Sequence, residues 1–399
     1  MKVLVFTSLY PNNVWPNHGV FVKERMVTFA KRTGCGVTVV APVPYYPPIK
    51  LGSRWLFSQV ARHEVRDGLD VYHPRYLMTP KVGMMSYGIL MYISAIRTIT
   101  RLQRTFEFDV IDSHFVYPDG FAAVLLGRHF RKPVVVSARG SDISLYSRFP
   151  LIRPFLRYTL RRADRAIAVC QALKDAMVDL NVPAGKILVV PNGVDPNKFF
   201  PCQKTEARAR LGLRDTTTIL SVGALISLKG FDLLIKALSI LIRDGGRTDL
   251  NLVIVGEGPL RRELAALVAE LQLEAYVRLV GRQPHEDLYL WYSAADLFCL
   301  MSEREGWPNV LLESLACGTP VVATAVWGIP DIICSETYGL LTARNEGALA
   351  RTIKLALERS WNREEIINYA KSRTWDRVAE SVSDVLATTV TGASGRVFQ

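Results

Sequence analysis

Two glutamates stand eight residues apart in the segment Ser302–Ala323, which reads SEREGWPNVLLESLACGTPVVA. Glu305 lies in a loop after a predicted strand, and Glu313 lies about two turns into the helix predicted to follow. The start of that helix lies between them, where backbone N–H groups and the positive end of the dipole can bind an anion. Ionised carboxylates accept hydrogen bonds from hydroxyl groups. The spacing therefore suits a ligand with hydroxyls at both ends and phosphate in the middle, which is the shape of a nucleotide sugar.

The elements that must position these glutamates follow a regular alternation. Short runs of Val, Ile and Leu alternate with helix-length segments, which is typical of βαβ units in parallel sheets covered by helices on both faces. The sequence therefore predicts an α/β protein with two doubly wound, Rossmann-like domains facing each other across a cleft, with ligands at the carboxyl ends of the strands. The predicted strands are Lys2–Thr7, Val37–Ala41, Asp109–Ser113, Val134–Ala138, Ala166–Cys170, Ile187–Val190, Thr218–Val222, Asn251–Val255, Val277–Val280, Leu297–Leu300 and Pro320–Ala323.

A run of turn-forming residues, Pro191–Pro196, interrupts this alternation and marks a domain link. We assign residues 1–190 to an N-terminal domain and residues 191–373 to a C-terminal domain. Residues 374–399 form a C-terminal helix and tail, and this helix is a candidate for packing back on the N-terminal domain.

Composition and missing motifs exclude several classes of protein. The chain has 399 residues, 49% of them hydrophobic, so disorder is excluded and each domain can bury a core. Its six cysteines form no Cys-x-x-Cys pair, which favours a reducing cytoplasm over a zinc or disulfide framework. Phosphate-loop, serine-hydrolase and zincin motifs are absent, and Arg261 replaces the last glycine of a dinucleotide fingerprint after Gly258. No two aspartates stand two apart, so we expect neither a metal ion nor another cofactor.

Positive charge is concentrated in the N-terminal half. Residues 1–190 contain 26 Lys and Arg against 12 Asp and Glu, whereas residues 191–399 contain 23 against 25. This asymmetry favours an anionic partner for the first domain. The N-terminal run Val3–Phe6 predicts a buried strand, not a signal peptide, and the apolar stretch Val82–Ile96 is shorter than the roughly 20 residues of a membrane-spanning helix.

The segment with the two glutamates resembles the E-x7-E signature of retaining family-4 glycosyltransferases of the GT-B fold. The resemblance covers nearly the full chain and is most specific over residues 191–331. Matching motifs are Gly140-Ser141-Asp142, Pro191-Asn192-Gly193-Val194-Asp195, Val222-Gly223 with Lys229-Gly230, Val255-Gly256-Glu257-Gly258-Pro259 and Gly318-Thr319-Pro320-Val321-Val322-Ala323. The resemblance implies the GT-B fold, with a donor-binding C-terminal domain and an acceptor-binding N-terminal domain.

The resemblance also implies roles for individual residues. Glu313 would hold the ribose hydroxyls of the donor, Glu305 a hydroxyl of the transferred sugar, and Lys229 would neutralise the diphosphate. Gly19 would let the loop after the first strand approach the donor closely. The other predicted donor contacts lie after a strand and around the helix start, and they are Gly223, Gly306, Trp307, Pro308, Asn309 and Val310.

Two positions depart from the family pattern. Ala224 stands where the family usually has the arginine of a Gly-Arg-Leu, and Arg139 stands where it often has the histidine of His-Gly-x-Asp. We hypothesise that Arg139 supplies the missing positive charge across the cleft.

The resemblance implies transfer with retention, in which the leaving phosphate takes the acceptor proton and no second carboxylate base is needed. His114 ends a predicted strand and can assist by hydrogen bonding near the sugar or acceptor, so Lys229, Glu305, His114 and Arg139 are the predicted catalytic residues. His114, Arg139 and Asp142 are the predicted acceptor contacts. A histidine at the end of a strand is often structural, and an aspartate before Ile143 is a good helix N-cap, so these alternatives stay open.

Basic and apolar residues lie together in the first domain. Arg153, Arg157, Arg161 and Arg165 recur every four residues among apolar side chains. A helix lying in an anionic membrane interface needs such a surface, although two core-packed helices with solvated basic sides would have the same pattern. No nucleic-acid module accompanies the charge, so nucleic acid is not expected as a partner.

The sequence therefore predicts a metal-independent, retaining glycosyltransferase with a nucleotide-diphosphate sugar donor. Its acceptor would be a cell-envelope polysaccharide or a lipid-linked glycan, reached from the cytoplasm by peripheral association with the inner face of the cell membrane. Two alternatives remain: a nucleotide-sugar epimerase of GT-B type, and a membrane-associated nucleotide-sugar or glycan binding protein without turnover.

Overall fold

The computed structural model describes residues 1–50, 52–78 and 83–394. Its chain divides into two compact units, one formed by Met1–Asn192 with the chain from Trp375 onward, and the other by Gly193–Thr374. The observed division lies two residues beyond the predicted boundary at residue 190. Val82 of the apolar stretch and residues 395–399 of the predicted tail lie outside the described residues.

The first unit contains a sheet whose strands are nearly all parallel, with the order β10-β9-β8-β7-β1-β2-β5-β4. Only the edge strand β4 runs antiparallel, to β5, and β3 pairs with β6 in a separate two-stranded sheet. The strands are β1 Lys2–Phe6, β2 Gly36–Val40, β3 Val43–Pro44, β4 His63–Arg66, β5 Leu69–Tyr72, β6 Arg75–Tyr76, β7 Val110–His114, β8 Val134–Ala138, β9 Arg165–Ala168 and β10 Ile187–Val189. The helices of this unit are α1 Val20–Thr33, α2 Tyr87–Leu102, α3 Phe121–Phe130, α4 Ser141–Ser144, α5 Arg153–Arg162, α6 Gln171–Val178 and α15 Trp375–Ser394.

The C-terminal helix α15 belongs to the core of the first unit. Its residues Trp375, Val382 and Leu386 are buried in one cluster with Val3 and Met26 of β1 and α1. The central strands β7 and β8 are buried throughout, because helices cover both faces of the sheet there. Residues distant by more than 300 positions in the sequence therefore complete one hydrophobic core.

The second unit contains a six-stranded sheet with the order β13-β12-β11-β14-β15-β16, in which all pairs are parallel. The strands are β11 Thr217–Val222, β12 Leu250–Val255, β13 Val277–Gly281, β14 Leu297–Leu300, β15 Val321–Thr324 and β16 Gly339–Thr342. The helices are α7 Lys204–Leu211, α8 Phe231–Arg243, α9 Arg261–Glu270, α10 Leu288–Ala294, α11 Asn309–Ala316, α12 Ile329–Ile332, α13 Glu346–Glu358 and α14 Arg363–Lys371.

Among the parallel strands of each of the two large sheets, the strand order reverses at one place. The reversal lies between β1 and β7 in the first unit and between β11 and β14 in the second. At such a switch point the loops after the two strands diverge to opposite faces and leave a crevice for a ligand. The two crevices are therefore lined by the loops after β1 and β7 and by the loops after β11 and β14.

The apolar stretch predicted to end at Ile96 forms most of α2. Met91 and Ala95 face the core, whereas Met85, Ile89 and Ile93 recur every four residues and stay exposed. Over residues 1–50, 52–78 and 83–394, no helix is long and apolar enough to cross a membrane.

Strands were predicted less well at the margins of the two sheets. The sequence indicated neither the hairpin of β4 and β5 nor the edge strand β16, because these segments are short and partly exposed. The residues of β4 alternate between exposed and half-buried positions and include three polar side chains. A strand buried on one face at most lacks the continuous apolar run that reveals the central strands.

Candidate active site

The switch point of the second unit brings Lys229 and Glu305 together. Lys229 follows β11 and Glu305 follows the adjacent strand β14. The Lys229 Nζ donates to Glu305 Oε1 at 2.5 Å, and their side chains are 19% and 14% exposed. Ser302 Oγ donates to the same oxygen at 2.6 Å. Glu305 Oε2 accepts no hydrogen bond from the described residues, and the bond to Glu305 uses one of the three N–H donors of Lys229.

Gly230 sets the approach of these two loops. It has a φ of +65°, and a Cβ added there would lie 2.4 Å from the carbonyl oxygen of Met301. Only glycine fits this combination of a left-handed backbone and a close backbone neighbour. Gly230 thereby fixes Lys229, the preceding residue, beside the loop that carries Glu305.

Glu313 lies on α11, and one oxygen of its carboxylate is hydrogen-bonded to the protein. Tyr292 Oη donates to Glu313 Oε2 at 2.8 Å, and Tyr292 is fully buried. Burial, and then the charge of Glu313, raises the pKa of the Tyr292 hydroxyl, so this hydroxyl remains a donor. The side chain of Glu313 is 10% exposed, and its Oε1 lies 3.7 Å from Nε2 of His285. One carboxylate oxygen is therefore fixed by the protein, while the other makes no hydrogen bond to the described residues.

The loop into α11 contains the predicted contacts Gly306, Trp307 and Pro308, and the helix begins at Asn309 and Val310. Trp307 is buried, and its Nε1 has no hydrogen-bond partner among the described residues. In the sequence the helix start therefore lies between Glu305, in the loop after β14, and Glu313, on α11.

Two of the three glycines in the predicted donor set, Gly19 and Gly223, differ in their surroundings. A Cβ on Gly19 would lie 2.3 Å from the carbonyl oxygen of Leu9, and its φ is +66°, so the loop after β1 itself requires glycine. A Cβ on Gly223 would find its nearest neighbour at 3.6 Å, in the Phe231 ring, and Lys229 lies just beyond. Packing alone explains Gly19, whereas Gly223 leaves room beside Lys229.

In the first unit His114 and Arg139 meet in a buried polar network. His114 ends β7 and is fully buried, and a terminal nitrogen of Arg139 donates to its Nδ1. Because arginine can only donate, the His114 proton belongs on Nε2, which lies 3.5 Å from Asp112 Oδ2. Burial, and then the charge of Arg139, lowers the pKa of His114 and keeps the imidazole neutral.

Both ring nitrogens of His114 thus face protein groups. Arg139 occupies Nδ1, whereas Nε2 is buried and has no hydrogen-bond partner among the described residues, so Nε2 is the nitrogen left for a hydrogen bond to a ligand. Arg139 also donates to Asn192 Oδ1 at 3.0 Å and stacks over the ring of Phe21, 5.5 Å from its centroid. Its guanidinium is therefore held by neutral partners, and its role and that of His114 in turnover stay predictions.

Asp142 fixes backbone in this structure. Its carboxylate oxygens accept from the backbone N–H groups of Val116 at 2.9 Å, Arg139 at 3.0 Å and Gly140 at 2.8 Å. These bonds tie the loop after β8 to the loop after β7 and occupy the carboxylate. Asp142 lies inside α4, whose N-cap residue is Gly140, so the alternative that Asp142 is the N-cap was wrong. Contact of Asp142 with an acceptor stays a prediction.

Sequence reasoning missed three buried charges beside this network. Arg25 of α1 lies 3.6 Å from Asp112 Oδ2, and Asp119 accepts the backbone N–H of Ser8. All three charged side chains are almost completely buried. Arg25 offered a signal, because it interrupts the apolar stripe of α1 between Val22 and Met26.

We predict that Asp119 makes stability depend on pH. Burial raises the pKa of Asp119 from 3.8 to about 7, although the bond from Ser8 opposes the rise. Because the folded pKa is the higher one, unfolding releases a proton between these values, and stability falls as pH rises from about 4 to about 7. Asp119→Asn removes this titration and keeps an oxygen for Ser8. We expect the variant to melt several degrees above the wild type at pH 8, and the difference to shrink towards pH 5.

Thermal unfolding at both pH values checks this expectation. Asp244→Asn, at an exposed aspartate of the second unit, is the control and should show no such pH dependence. A melting difference for Asp119→Asn that stays the same from pH 5 to pH 8 would contradict the assignment.

Comparisons with known proteins place the chain in a family. The family description "Glycosyl transferases group 1" matches residues 203–373, and "Glycosyltransferase Family 4" matches residues 26–198. Among curated proteins, the glycosyltransferase TuaC of Bacillus subtilis, assigned provisionally to teichuronic acid biosynthesis, is 30% identical over 361 residues. The alignment covers 88% of each chain.

Solved structures agree on the fold. Sucrose-phosphate synthase from Thermosynechococcus elongatus superposes with a TM-score of 0.79 over 98% of this chain and 99% of that one, at 20% identity. Anabaena Alr3699/HepE in complex with UDP-glucose has a TM-score of 0.73 over 97% and 100%, at 19% identity. The fold is GT-B, that of a large class of glycosyltransferases. Within this class, the chain belongs to glycosyltransferase family 4, and the predicted fold and family are confirmed.

Proposed function

We propose that this glycosyltransferase moves a sugar from a nucleotide-diphosphate donor to a cell-envelope polysaccharide or a lipid-linked glycan, with retention and without a metal ion. The observation that carries the proposal is the set formed by the ion pair of Lys229 with Glu305, in the loop before α11, together with Glu313 on α11 itself. It offers an ammonium group for phosphate and two carboxylate oxygens that make no hydrogen bond to the described residues.

The donor fits this set group by group. The ribose hydroxyls would donate to Glu313 Oε1, and a hydroxyl of the transferred sugar would donate to Glu305 Oε2. The diphosphate would lie at the start of α11 and accept from the two remaining N–H donors of Lys229. The complex of Alr3699/HepE with UDP-glucose supports a nucleotide-sugar donor by analogy of fold.

The chemistry needs positive charge where the diphosphate departs. Lys229 and the positive end of α11 are fixed before the reaction. One such donor in a dry site lowers the activation barrier by about 3–4 kcal/mol. The departing phosphate would take the proton of the acceptor hydroxyl, and the new bond would form on the same face of the sugar. The proposal includes no metal because the chain contains no two aspartates separated by one residue.

Arg139 is proposed as a further positive charge for turnover, held in place by His114 and Asn192. Arg139→Ala should lower kcat by about tenfold or more, because a charged hydrogen-bond donor contributes roughly 1.5–3 kcal/mol. The measurement is the initial rate at saturating donor, together with the melting temperature. An unchanged rate in a folded variant would remove this role from Arg139.

The acceptor side of the proposal includes an anionic membrane surface. Phe149 and Leu151 are exposed beside α5, next to a cavity of about 740 Å³ lined by Arg148, Arg153 and Arg157 among others. These three arginines make no ion pair with the described residues. Basic side chains beside exposed apolar ones are what binding to an anionic interface requires. Lipid-linked acceptors lie at such a surface, and we place the protein at the cytoplasmic face of the cell membrane.

Vesicle sedimentation tests this association. The protein should bind vesicles containing phosphatidylglycerol at low salt, bind neutral vesicles weakly, and dissociate at 0.5 M salt, roughly as screening predicts. Arg153→Gln with Arg157→Gln should weaken binding roughly thirtyfold, since each basic residue near the surface contributes about 1 kcal/mol. Arg262→Gln with Arg282→Gln, at exposed positions of the second unit, is the matched control. A wild type that stays unbound at low salt would contradict membrane association.

The test of the whole function is nucleotide release that depends on an acceptor. A transferase releases nucleoside diphosphate only when an acceptor is present, and the product keeps the anomeric configuration of the donor. An epimerase would release nucleotide or epimerised sugar without acceptor, and a binding protein would release nothing. Chelation with EDTA should leave the rate unchanged if the reaction needs no metal.

A further inference from the structure

A second cavity of the first unit lies between the edge of the eight-stranded sheet and α2. It encloses about 790 Å³, within the range of about 300–1,000 Å³ that is usual for ligand sites. Its walls come from the loop after β3, from β4 and β5, and from α2. In the sheet, β4 is separated from β1 by three strand spacings, or roughly 14 Å. This space, termed the α2 cavity, is therefore distinct from the network of His114 and Arg139.

Three arginines of the α2 cavity make no ion pair with the described part of the chain. They are Arg62, before β4, and Arg97 and Arg101, on one face of α2. The carboxylates of the adjoining hairpin are already engaged: Glu64 lies 3.0 Å from nitrogens of Arg66 and His73, and Asp70 lies 2.7 Å from His63 Nε2.

A fourth arginine of the lining, Arg75, is held by the protein. It donates to the carbonyl oxygens of Phe57 and Val60. Burial, and then the charge of Arg62, lowers the pKa of Arg75. Arg75 therefore adds positive potential at the wall, and Arg62, Arg97 and Arg101 remain as cations for a ligand.

Aromatic rings and hydroxyl groups complete the lining. Tyr45 is 52% exposed, and Tyr46 beside it is half-buried. Tyr72 stacks on His63 with ring centroids 4.5 Å apart. Ser94 and Thr98 stand on the same face of α2 as Arg97 and Arg101, at helical spacings of three and four residues. The cavity thus combines flat apolar surfaces, hydroxyls and planar guanidinium groups.

These groups together select the chemistry of a ligand. Guanidinium groups match carboxylate and phosphate with paired hydrogen bonds, and rings with a polar edge suit a ligand that is apolar on its faces and polar at its rim. A sugar ring bearing an anionic substituent has both properties. A bilayer surface fits less well, because the exposed apolar stripe Met85, Ile89 and Ile93 is not part of the lining.

We propose that the α2 cavity binds sugar residues that bear a carboxylate or a phosphate, within a polymeric acceptor. The inference rests on the proposed transfer to a glycan acceptor and gives that acceptor a second point of attachment outside the active site. A polymer held at both points dissociates more slowly, so its KM falls as its length reaches the cavity.

Titration calorimetry with defined oligosaccharides tests the cavity. The probes are an oligogalacturonate for carboxylate, a phosphorylated oligomannoside for phosphate, and maltoheptaose as a neutral ligand of similar size. At least one anionic probe should bind ten or more times as tightly as maltoheptaose, and the comparison of the two identifies the anionic group. Equal binding of all three, or binding of none, would overturn the proposal.

Variants locate the binding. Arg97→Gln and Arg101→Gln should each weaken the anionic probe about tenfold, as expected for a lost charged hydrogen bond. Tyr45→Leu should weaken it without a change in charge. Arg104→Gln, at an exposed arginine of the same helix end outside the lining, is the control and should bind as the wild type does. A loss of the same size in Arg104→Gln, or in Arg153→Gln, would show general attraction to positive charge and contradict a site.

Two parallel measurements separate this inference from the others. Binding of a UDP-sugar to the wild-type chain reports on the donor site. If the chain binds a UDP-sugar but none of the glycans, the proposal for the α2 cavity is overturned and the donor site is not. Vesicle binding of Arg97→Gln with Arg101→Gln reports the membrane surface. If these substitutions reduce vesicle binding and leave glycan binding unchanged, the cavity serves the bilayer and the proposal is wrong.

Discussion

Replacing Lys229 by methionine is expected to lower kcat/KM for the donor by a factor of about 10²–10³, the loss typical of one preorganised donor to a developing negative charge. Methionine keeps the length of the side chain and removes its ammonium group. The loss should appear in kcat as well as in KM, because the charge on the departing diphosphate is larger in the transition state than in the bound donor. Initial rates over a range of donor concentrations separate the two parameters.

The pair with Glu305 requires a second variant. Lys229→Met leaves a Glu305 carboxylate that is only 14% exposed without its cation, so part of the loss could arise from misplacement of the loop. The double variant that combines Lys229→Met with Glu305→Gln no longer contains this unpaired charge. If Lys229 served only to neutralise Glu305, the double variant would recover activity. Our account predicts that it stays as inactive as Lys229→Met or becomes less active.

The matched control is Lys236→Met, at an exposed lysine of the neighbouring helix α8. It removes the same charge from the same unit and should keep activity within about twofold, as surface substitutions usually do. Lys229→Met with near wild-type kcat/KM in a folded protein would contradict the assignment of Lys229 to the diphosphate.

Glu313→Gln is expected to weaken donor binding by about tenfold to a hundredfold, the cost of one charged hydrogen bond. Glutamine keeps an oxygen for Tyr292 Oη but loses the charge that attracts the ribose hydroxyls. Since these hydroxyls do not change during transfer, the dissociation constant and KM should rise more than kcat falls. Titration calorimetry with the donor, and with the nucleotide alone, measures the effect.

Two further variants identify the source of the weaker donor binding. Tyr292→Phe removes the hydroxyl that holds Glu313 Oε2 and should weaken the donor less than Glu313→Gln does, because the charge remains. Glu270→Gln, at an exposed glutamate of α9, should change nothing. Equal donor affinity of Glu313→Gln and the wild type would exclude Glu313 from the ribose site.

The central strands and the helix start were predictable because their physical signals are local. Continuous apolar runs gave the strands Leu297–Leu300 and Val134–Ala138 with their observed bounds. The segment Ser302–Ala323 indicated a loop, a helix and a strand in the observed order, so the sequence alone placed Glu305 in a loop and Glu313 on a helix.

The pairing of groups distant in the sequence was not predictable in this way. Lys229 and Glu305 are 76 residues apart, and their bond depends on the order of β11 and β14 in the sheet. The direct bond between Arg139 and His114, which are 25 residues apart, depends in the same way on β7 and β8. An apolar strand carries no information about which strand it pairs with. The sequence pattern therefore indicated the candidate residues, whereas only the tertiary structure shows which of them are partners.

The C-terminal helix illustrates the same limit. The sequence made it only a candidate for packing on the N-terminal domain, and the structure shows it packed against α1 of the first unit. The surface side chains of the α2 cavity were likewise dispersed over 60 residues of sequence without a recognisable motif. Only the folded chain brings Arg62, Arg97 and Arg101 to one place.

The most direct test of a donor site at the start of α11 is a thermal-shift panel of nucleotide sugars on the wild type and Lys229→Met. At about 100-fold its dissociation constant, a bound donor adds about 2.7 kcal/mol to stability. Our account predicts that at least one nucleotide-diphosphate sugar raises the melting temperature of the wild type by several degrees, and that Lys229→Met loses most of this shift. A panel that stabilises neither protein, or stabilises both equally, would contradict the account.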